Sequence, residues 1–111
     1  MRLFGRKRRS DAGSNRGRRV SDERAHLEQF AREHTGVEAF VEPPTAVTGT
    51  TVVLVAASGE WTRRRVPEAR VAHEWANKLG IPSYDAAVVG YPQRMREWNR
   101  LKAAEDKRGR D

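Results

Sequence analysis

Arginine and tryptophan alternate near the carboxyl end of the chain, in the segment QRMREWNR at residues 93–100. Guanidinium groups bind phosphates and indole rings stack on nucleobases, so this pattern is typical of a nucleic-acid surface. It is equally typical of an amphipathic helix that buries Trp98 and exposes its arginines. We therefore expect the aromatic side chains to stabilise the fold and Arg94, Arg96 and Arg100 to be available for binding.

A second arginine cluster, Arg63-Arg64-Arg65, closely follows Trp61. Alternation along an extended strand places Trp61, Arg63 and Arg65 on one face, with Arg64 on the other. Two guanidinium groups beside an indole suit the phosphates and bases of a nucleic acid. The alternative is that the arginine stems cover apolar sheet surface while their charged heads stay in water.

The highest density of positive charge lies at the N-terminus. Residues 1–19 contain eight basic residues and one aspartate, a net charge of +7, and almost no apolar residues. This composition predicts a disordered cationic arm that binds nucleic acid in a salt-sensitive, sequence-tolerant way. Leu3 and Phe4 beside these charges also fit contact with an anionic membrane surface, and a passive tail is the third interpretation. The candidate contacts in the arm are Arg6, Lys7, Arg8, Arg9, Arg16, Arg18 and Arg19.

The rest of the chain has no net charge, because residues 20–111 contain 14 basic and 14 acidic residues. Residues 20–93 hold 7 basic and 10 acidic residues, a net charge of −3. Residues 94–111 hold 7 basic and 4 acidic residues, a net charge of +3. The basicity therefore lies at the two ends, and the acidic body leaves open a protein–protein adaptor that binds a basic partner.

No residue set identifies a reaction. The chain has no cysteine, which excludes disulfides, thiol catalysis and zinc–thiolate sites. The three histidines, His26, His34 and His73, lack metal-ligand spacing, and neither a dinucleotide-binding nor a Walker glycine pattern is present. We expect no cofactor, no metal and no catalytic residue. Without a long apolar run or a secretory signal, the chain is expected to be cytoplasmic.

An alternative anionic-ligand site involves Gly90, Gln93 and Arg94. A predicted strand ends at Gly90, and Pro92 opens the helix that follows it. Ligands of α/β sheets collect where strands feed into helices, and helix N-termini favour anions. Gly90 would allow close approach of a ligand, while Gln93 and Arg94 would hold a phosphate or carboxylate.

The patterning predicts one α/β (α+β) domain over residues 20–104, between a disordered arm at 1–19 and a frayed charged tail at 105–111. The expected order is α-β-β-β-α-β-α, a small four-stranded mixed sheet with three helices. The helices are predicted from Ser21 to Gly36, over PEARVAHEWANKL, and from Pro92 to about Ala104. The strands are VEAFVE (an edge strand), TTVVLVAA (a central strand), its hairpin partner EWTRRRV, and SYDAAVVG.

The last two strands are expected to be parallel and joined by a right-handed crossover. Helical spacing then gives each helix one apolar stripe that faces the sheet. The stripes are Leu27, Phe30, Ala31 and His34; Ala72, Trp75, Ala76 and Leu79; and Tyr91, Met95, Trp98 and Leu101.

Two segments, VEAFVEPPTAVTGTTVVLVAASGEWTRRRV and KLGIPSYDAAVVGYPQRMREWN, together resemble a family of small actinobacterial (high-GC) proteins of unassigned activity. The label oxidoreductase, which some such sequences carry, implies a small enzyme that uses the sheet edge near Gly90–Arg94. Residues 21–79 also have the element order of double-stranded-RNA-binding domains. However, Pro67-Glu68-Ala69-Arg70 stands where such domains carry a lysine cluster.

We therefore expect a small basic accessory protein, without enzymatic activity, that binds RNA, DNA or a ribonucleoprotein. The cationic arm supplies affinity, and Arg63, Arg65, Arg94, Arg96 and Arg100 supply any preference for shape. The two alternatives are the enzyme or anionic-ligand module at the sheet edge, and the protein–protein adaptor.

Overall fold

The structure, a computed structural model, describes residues 11–110, with side chains over residues 17–109. Within that range the chain forms four helices and a four-stranded mixed sheet, which confirms the predicted α+β class. No helix in the described range is long and apolar enough to cross a membrane. The helices are α1 (Asp11–Glu33), α2 (Ala69–Lys78), α3 (Ala86–Val89) and α4 (Gln93–Arg110). The strands are β1 (Glu38–Glu42), β2 (Thr51–Val55), β3 (Trp61–Arg65) and β4 (Ser83–Asp85).

The sheet has the strand order β3-β2-β1-β4. β1 pairs with β2 and β2 pairs with β3, both antiparallel, while β4 pairs with β1 in parallel. The predicted hairpin of the second and third strands is confirmed. β3 and β4 run in the same direction, as predicted, but they are not neighbours, since they form the opposite edges of the sheet. β1 is a central strand rather than an edge, because its two prolines follow Glu42 and leave the strand's own N–H groups free to pair.

The positions of α1 and α2 explain why β4 lies beside β1. α1 packs on β3 and β2, whereas α2 packs on β1 and β4. Because α1 already covers β3, the buried face of α2 lies farther across the sheet. The chain that leaves α2 therefore reaches the free edge of β1 rather than that of β3.

One face of the sheet, which we call the α1/α2 face, packs on these two helices. Its buried side chains come from β1 and β2, and they meet Leu27 and Phe30 of α1 and Trp75 of α2. Leu79, expected in the α2 stripe, is exposed because α2 ends at Lys78. Ile81 instead folds back, and its N–H donates to the carbonyl oxygen of Ala76 at 2.9 Å.

The opposite face, which we call the α4 face, buries Phe40, Val53 and Val55 beneath Met95 of α4. Trp61, Tyr84 and Tyr91 border this cluster. Farther along α4, Trp98 is half-buried and Leu101 is exposed, so the predicted stripe leaves the sheet after Trp98. The helix nevertheless continues to Arg110, through most of the segment expected to be a frayed tail.

Helical structure is already present at Asp11, the first described residue, ten residues before the expected cap at Ser21. Residues 11–19 of the predicted disordered arm are therefore helical in the structure. The cause is cooperative. Once Leu27 and Phe30 are packed against the sheet, the helix is nucleated and extends without a further nucleation cost, even through weak helix formers such as Gly13 and Gly17.

The predicted strand SYDAAVVG is divided into β4 and the short helix α3. The carboxylate of Asp85 accepts a hydrogen bond from the N–H of Ala87 at 3.1 Å and so caps α3. α3 ends at Gly90, whose φ of 73° lies in the left-handed region that glycine adopts readily.

Candidate nucleic-acid interface

The predicted arm divides into a part outside the described residues and a part on α1. Arg6, Lys7, Arg8 and Arg9 lie outside the described residues. Arg16 lies in the first half of α1. Arg18 and Arg19 follow on the same helix, and both are exposed. The described cations of the arm are therefore presented by a helix.

Arg65 lies beside this basic half of α1. It is the last residue of β3, and it lines a groove together with Val20 and Arg24 of α1. Its side chain is exposed and, within the described part of the chain, has no ion pair or side-chain hydrogen bond. We call Arg65 together with the exposed Arg18 and Arg19 of α1 the α1–Arg65 corner.

Arg63 is already bound to an acidic residue. Its Nε and Nη2 atoms donate to the two carboxylate oxygens of Glu42 at 2.9 and 3.0 Å. Its guanidinium also lies 5.2 Å from the ring centroid of Trp61. The predicted Trp61–Arg63–Arg65 face exists, but Arg63 is paired, whereas the Arg65 guanidinium has no partner among the described residues.

Glu42 collects hydrogen bonds from two further side chains on the α4 face. The Thr51 hydroxyl donates to it at 2.5 Å, and the hydroxyl of Tyr91 donates to its other carboxylate oxygen. Burial of the carboxyl opposes ionisation, but the hydrogen bonds from Arg63, Thr51 and Tyr91 outweigh this effect and lower the pKa of Glu42. The Glu42 cluster therefore acts as a structural clamp between β1, β2, β3 and the start of α4.

Arg94 forms the matching clamp at the other end of β1. Its Nη2 donates to Glu38 at 2.7 Å, and its Nε donates to the carbonyl oxygen of Ala56 at 2.8 Å. Tyr84 donates to the same glutamate at 3.2 Å. The guanidinium points into the fold and joins α4 to the end of β2, which is a different task from the ligand contact predicted for it.

The alternative site near Gly90 contains a shallow groove of about 210 Å³. Phe40, Tyr84 and Tyr91 line it, together with Gly90 and Glu38. Gln93 is exposed at the start of α4, outside this lining, and Arg94 is held by Glu38. The structure therefore places Gly90 in a groove but does not bring Gln93 and Arg94 together with it around one anion.

Arg96 and Arg100 are exposed on α4, far from the α1–Arg65 corner. Asn99 of α4 accepts a hydrogen bond from Trp61 Nε1 at 2.7 Å, which places this part of α4 at the first residue of β3. Arg65 is the last residue of that strand, about 13 Å away at the usual rise per residue. Arg100 pairs with Glu97 at 2.8 Å. The five body arginines thus do not form a single surface.

The acidic and tyrosine partners of Arg63 and Arg94 were missed by sequence reasoning. Glu38 and Glu42 were visible as two carboxylates on one strand, two residues on either side of Phe40. Their arginine partners lie 21 and 56 residues farther along the chain, so no local pattern reports them.

No group of acidic or histidine side chains in the described range could hold a metal ion. The histidines instead have structural partners. His73 Nδ1 lies 2.7 Å from the Ser83 hydroxyl, and His26 Nε2 lies 2.7 Å from the Thr62 hydroxyl. The ring of His34 stacks on Phe30 at 3.9 Å.

The pKa values of His26 and His34 are shifted in opposite directions. Burial and the nearby Arg64 guanidinium lower the pKa of His26. A hydrogen bond to the carbonyl oxygen of Phe30, at 2.8 Å, and the Glu60 carboxylate, at 3.1 Å, raise the pKa of His34. Protonated His34 therefore stabilises the fold below pH ~6.5, an effect lost as pH rises through its higher folded pKa. Neutral His26 stabilises the fold above pH ~6.5, an effect lost as pH falls through its lower folded pKa.

Single substitutions should separate these two opposing contributions. In His34→Gln, the free energy of unfolding should rise with pH between about 5.5 and 7.5, because the contribution of His26 is no longer opposed by that of His34. In His26→Gln, the free energy of unfolding should be highest at the acid end of that range and should fall as pH rises. Urea denaturation at several pH values measures both slopes, and slopes of the same sign in the two variants would contradict the assignment.

No protein-family model, curated protein or solved structure matches the chain.

Proposed function

We propose that the protein binds nucleic acid through the α1–Arg65 corner, with residues 1–10 extending the contact. The observation that carries this proposal is the position of Arg65, which is exposed, has no partner among the described residues, and lines a groove with Val20 and Arg24 of α1. Arginines without a carboxylate partner are free to neutralise phosphates and release their counterions. Arg63 and Arg94, each bound to a glutamate, are assigned to stability instead.

The polarity of α1 supports an anionic partner. The N-terminal end of a helix carries partial positive charge, which disfavours additional cations there and favours anions. The first half of α1 nevertheless carries Arg16, Arg18 and Arg19, and the arm before it adds five more basic residues. A bound phosphate backbone would relieve this repulsion, so binding and the helical state of residues 11–19 should reinforce each other.

The distribution of charge also favours one orientation of the bound protein. Residues 1–19 hold eight basic residues and one acidic residue, a net charge of +7. Residues 20–93 hold 7 basic and 10 acidic residues, a net charge of −3. A polyanion attracts the first segment, repels the second and attracts residues 94–111, with their net charge of +3, more weakly than the first, so the N-terminal end of α1 is the part most strongly directed toward the nucleic acid.

Two double variants with equal change in charge test the proposal. Arg19→Gln/Arg65→Gln removes two cations from the corner, and Arg96→Gln/Arg100→Gln removes two from α4. Each lost phosphate contact lowers the salt dependence of log K by about 0.7 for a single strand. We expect the corner variant to bind labelled RNA roughly tenfold or more weakly, with a slope about 1.4 units shallower.

Fluorescence anisotropy at several salt concentrations measures both quantities. The α4 variant should retain nearly the affinity and slope of the unmodified chain. Equal losses in the two variants would indicate attraction by net charge alone and would contradict the assigned corner. Binding to anionic lipid vesicles, with no binding to RNA or DNA, would replace nucleic acid with a membrane surface as the partner.

A further inference from the structure

A groove lies between α1 and α2, at the end of β3 that carries Arg65. Its apolar lining includes Val20 and Leu27 of α1, Val66 after β3, and Val71 and Trp75 of α2. Leu27 and Trp75 are buried, while Val20 is 42% exposed, so the groove has an apolar floor and opens to solvent at Val20. Arg19, which is exposed, precedes Val20 on α1.

The size of the groove matches one small ring. Its volume is about 140 Å³. An apolar cavity of about 150 Å³ in a protein accommodates a benzene molecule. A six-membered pyrimidine ring therefore fits within the groove, whereas the fused rings of a purine would extend beyond it into solvent.

The rim of the groove attracts anions. Arg65 and Lys78 line it, and neither side chain has an ion-pair partner within the described residues. Arg24 also lines it and pairs with Glu28 at 3.2 Å. The acidic residue of the lining, Glu74, is bound by Arg70 at 3.1 Å. The groove therefore combines an apolar floor with uncompensated positive charge, which complements a ring attached to a phosphate.

We propose that this groove receives one unstacked pyrimidine base of a nucleic-acid strand whose phosphates lie on the α1–Arg65 corner. The inference rests on the proposed function, which places the strand at the groove's opening. A base within a duplex is paired and stacked, and it enters such a pocket only after flipping out at a cost of a few kcal/mol. The groove therefore confers a preference for single strands over duplexes and for pyrimidines over purines.

Filling the groove tests the proposal. Val71→Phe places a ring in the site, and Val20→Phe does so from the exposed side of the groove, where the fold tolerates change more easily. Val88→Phe, at a 78% exposed valine of α3, is the matched control. Thermal melting of the full chain establishes that each variant is folded.

The probes are labelled oligouridylate, oligoadenylate of equal length, and an RNA duplex. Burial and stacking of one base contribute about tenfold or more to single-strand affinity. We expect the unmodified chain to bind uridylate tightest. Both groove variants should bind uridylate about tenfold more weakly and the other two probes with unchanged affinity. The Val88→Phe variant should bind all three probes as the unmodified chain does.

Three results would overturn the proposal. Unchanged uridylate binding in the folded groove variants, or equal weakening on all three probes, removes the groove from recognition and leaves the proposed function intact. Absence of binding of all three probes to the unmodified chain overturns the proposed function and this inference together.

Discussion

Replacing Glu42 by glutamine is expected to lower the free energy of unfolding by about 2–3 kcal/mol. The carboxylate accepts hydrogen bonds from Arg63, Thr51 and Tyr91, and only 14% of its side chain is exposed. A glutamine keeps one acceptor oxygen and turns the other into a donor, which faces Arg63 and Tyr91 unfavourably. Since Arg63 is 43% exposed, its ion pair alone contributes less than the acceptor that the Tyr91 hydroxyl loses.

Glu97→Gln is the matched control for this substitution. Glu97 also pairs with an arginine, Arg100, at 2.8 Å, but the pair is exposed on α4. Its loss should change stability by no more than about 0.5 kcal/mol. Urea denaturation of the two variants measures the difference, and equal effects would contradict the role assigned to the Glu42 cluster.

The lowered pKa of Glu42 adds a dependence on pH. Its ionised form stabilises the fold above the ordinary glutamate pKa of about 4.3, and this contribution is lost as pH falls through the lower folded value. The unmodified chain should therefore lose stability in acid more steeply than Glu42→Gln does. Parallel acid transitions in the two proteins would show that the carboxylate is not the group that titrates.

Gly59→Ala is expected to lower the free energy of unfolding by about 3 kcal/mol or more. Gly59 has a φ of 96° in the turn between β2 and β3. A Cβ atom there would overlap the carbonyl oxygen of Arg94 and lie 3.0 Å from the Cβ of Trp98. The substitution therefore adds a steric conflict with α4 to the strain of the left-handed backbone.

Gly80→Ala separates the two causes. Gly80 has a φ of 73°, but no atom lies within 4 Å of an added Cβ. The Gly80→Ala variant should lose only about 1 kcal/mol of stability, which is the cost of the left-handed conformation. Denaturation followed by tryptophan fluorescence, to which Trp98 contributes, compares the two variants. Equal losses would show that α4 does not pack on the Gly59 turn as described.

Local signals in the sequence were sufficient for some elements. α2 lies within the predicted segment because Pro67 precedes it and Gly80, with positive φ, follows it. β2 was recognisable because an uninterrupted β-branched run suits a strand buried on both faces, and all five of its residues are buried. These features depend only on residues close to each other in the chain.

The strand order depended on information that no local pattern contains. Whether β4 pairs with β3 or β1 is decided by which part of the sheet α1 has already covered. The start of α1 was placed too late for a related reason. A good capping residue at Ser21 marks a permitted helix start, but packing farther along the helix allows it to continue back to Asp11.

The roles of the arginines could be predicted only in part. The alternation of Trp61, Arg63 and Arg65 on one face followed from strand geometry. The sequence does not show that Arg63 pairs with Glu42 while Arg65 pairs with no carboxylate of the described residues, because Glu42 lies on β1, separated from β3 by β2. Likewise, Arg94 and Arg96 share a helix, yet only Arg94 reaches Glu38.

The most direct test of the central claim maps the contact surface residue by residue. Oligouridylate is titrated into the ¹⁵N-labelled full chain while its amide NMR signals are followed. We predict the largest shifts at residues 17–24 and at Arg65 and Val66, with the signals of residues 1–10 also moving. Shifts concentrated instead on α4 around Arg96 and Arg100, or around Gly90 and Tyr91, would contradict the assignment of the α1–Arg65 corner as the nucleic-acid surface.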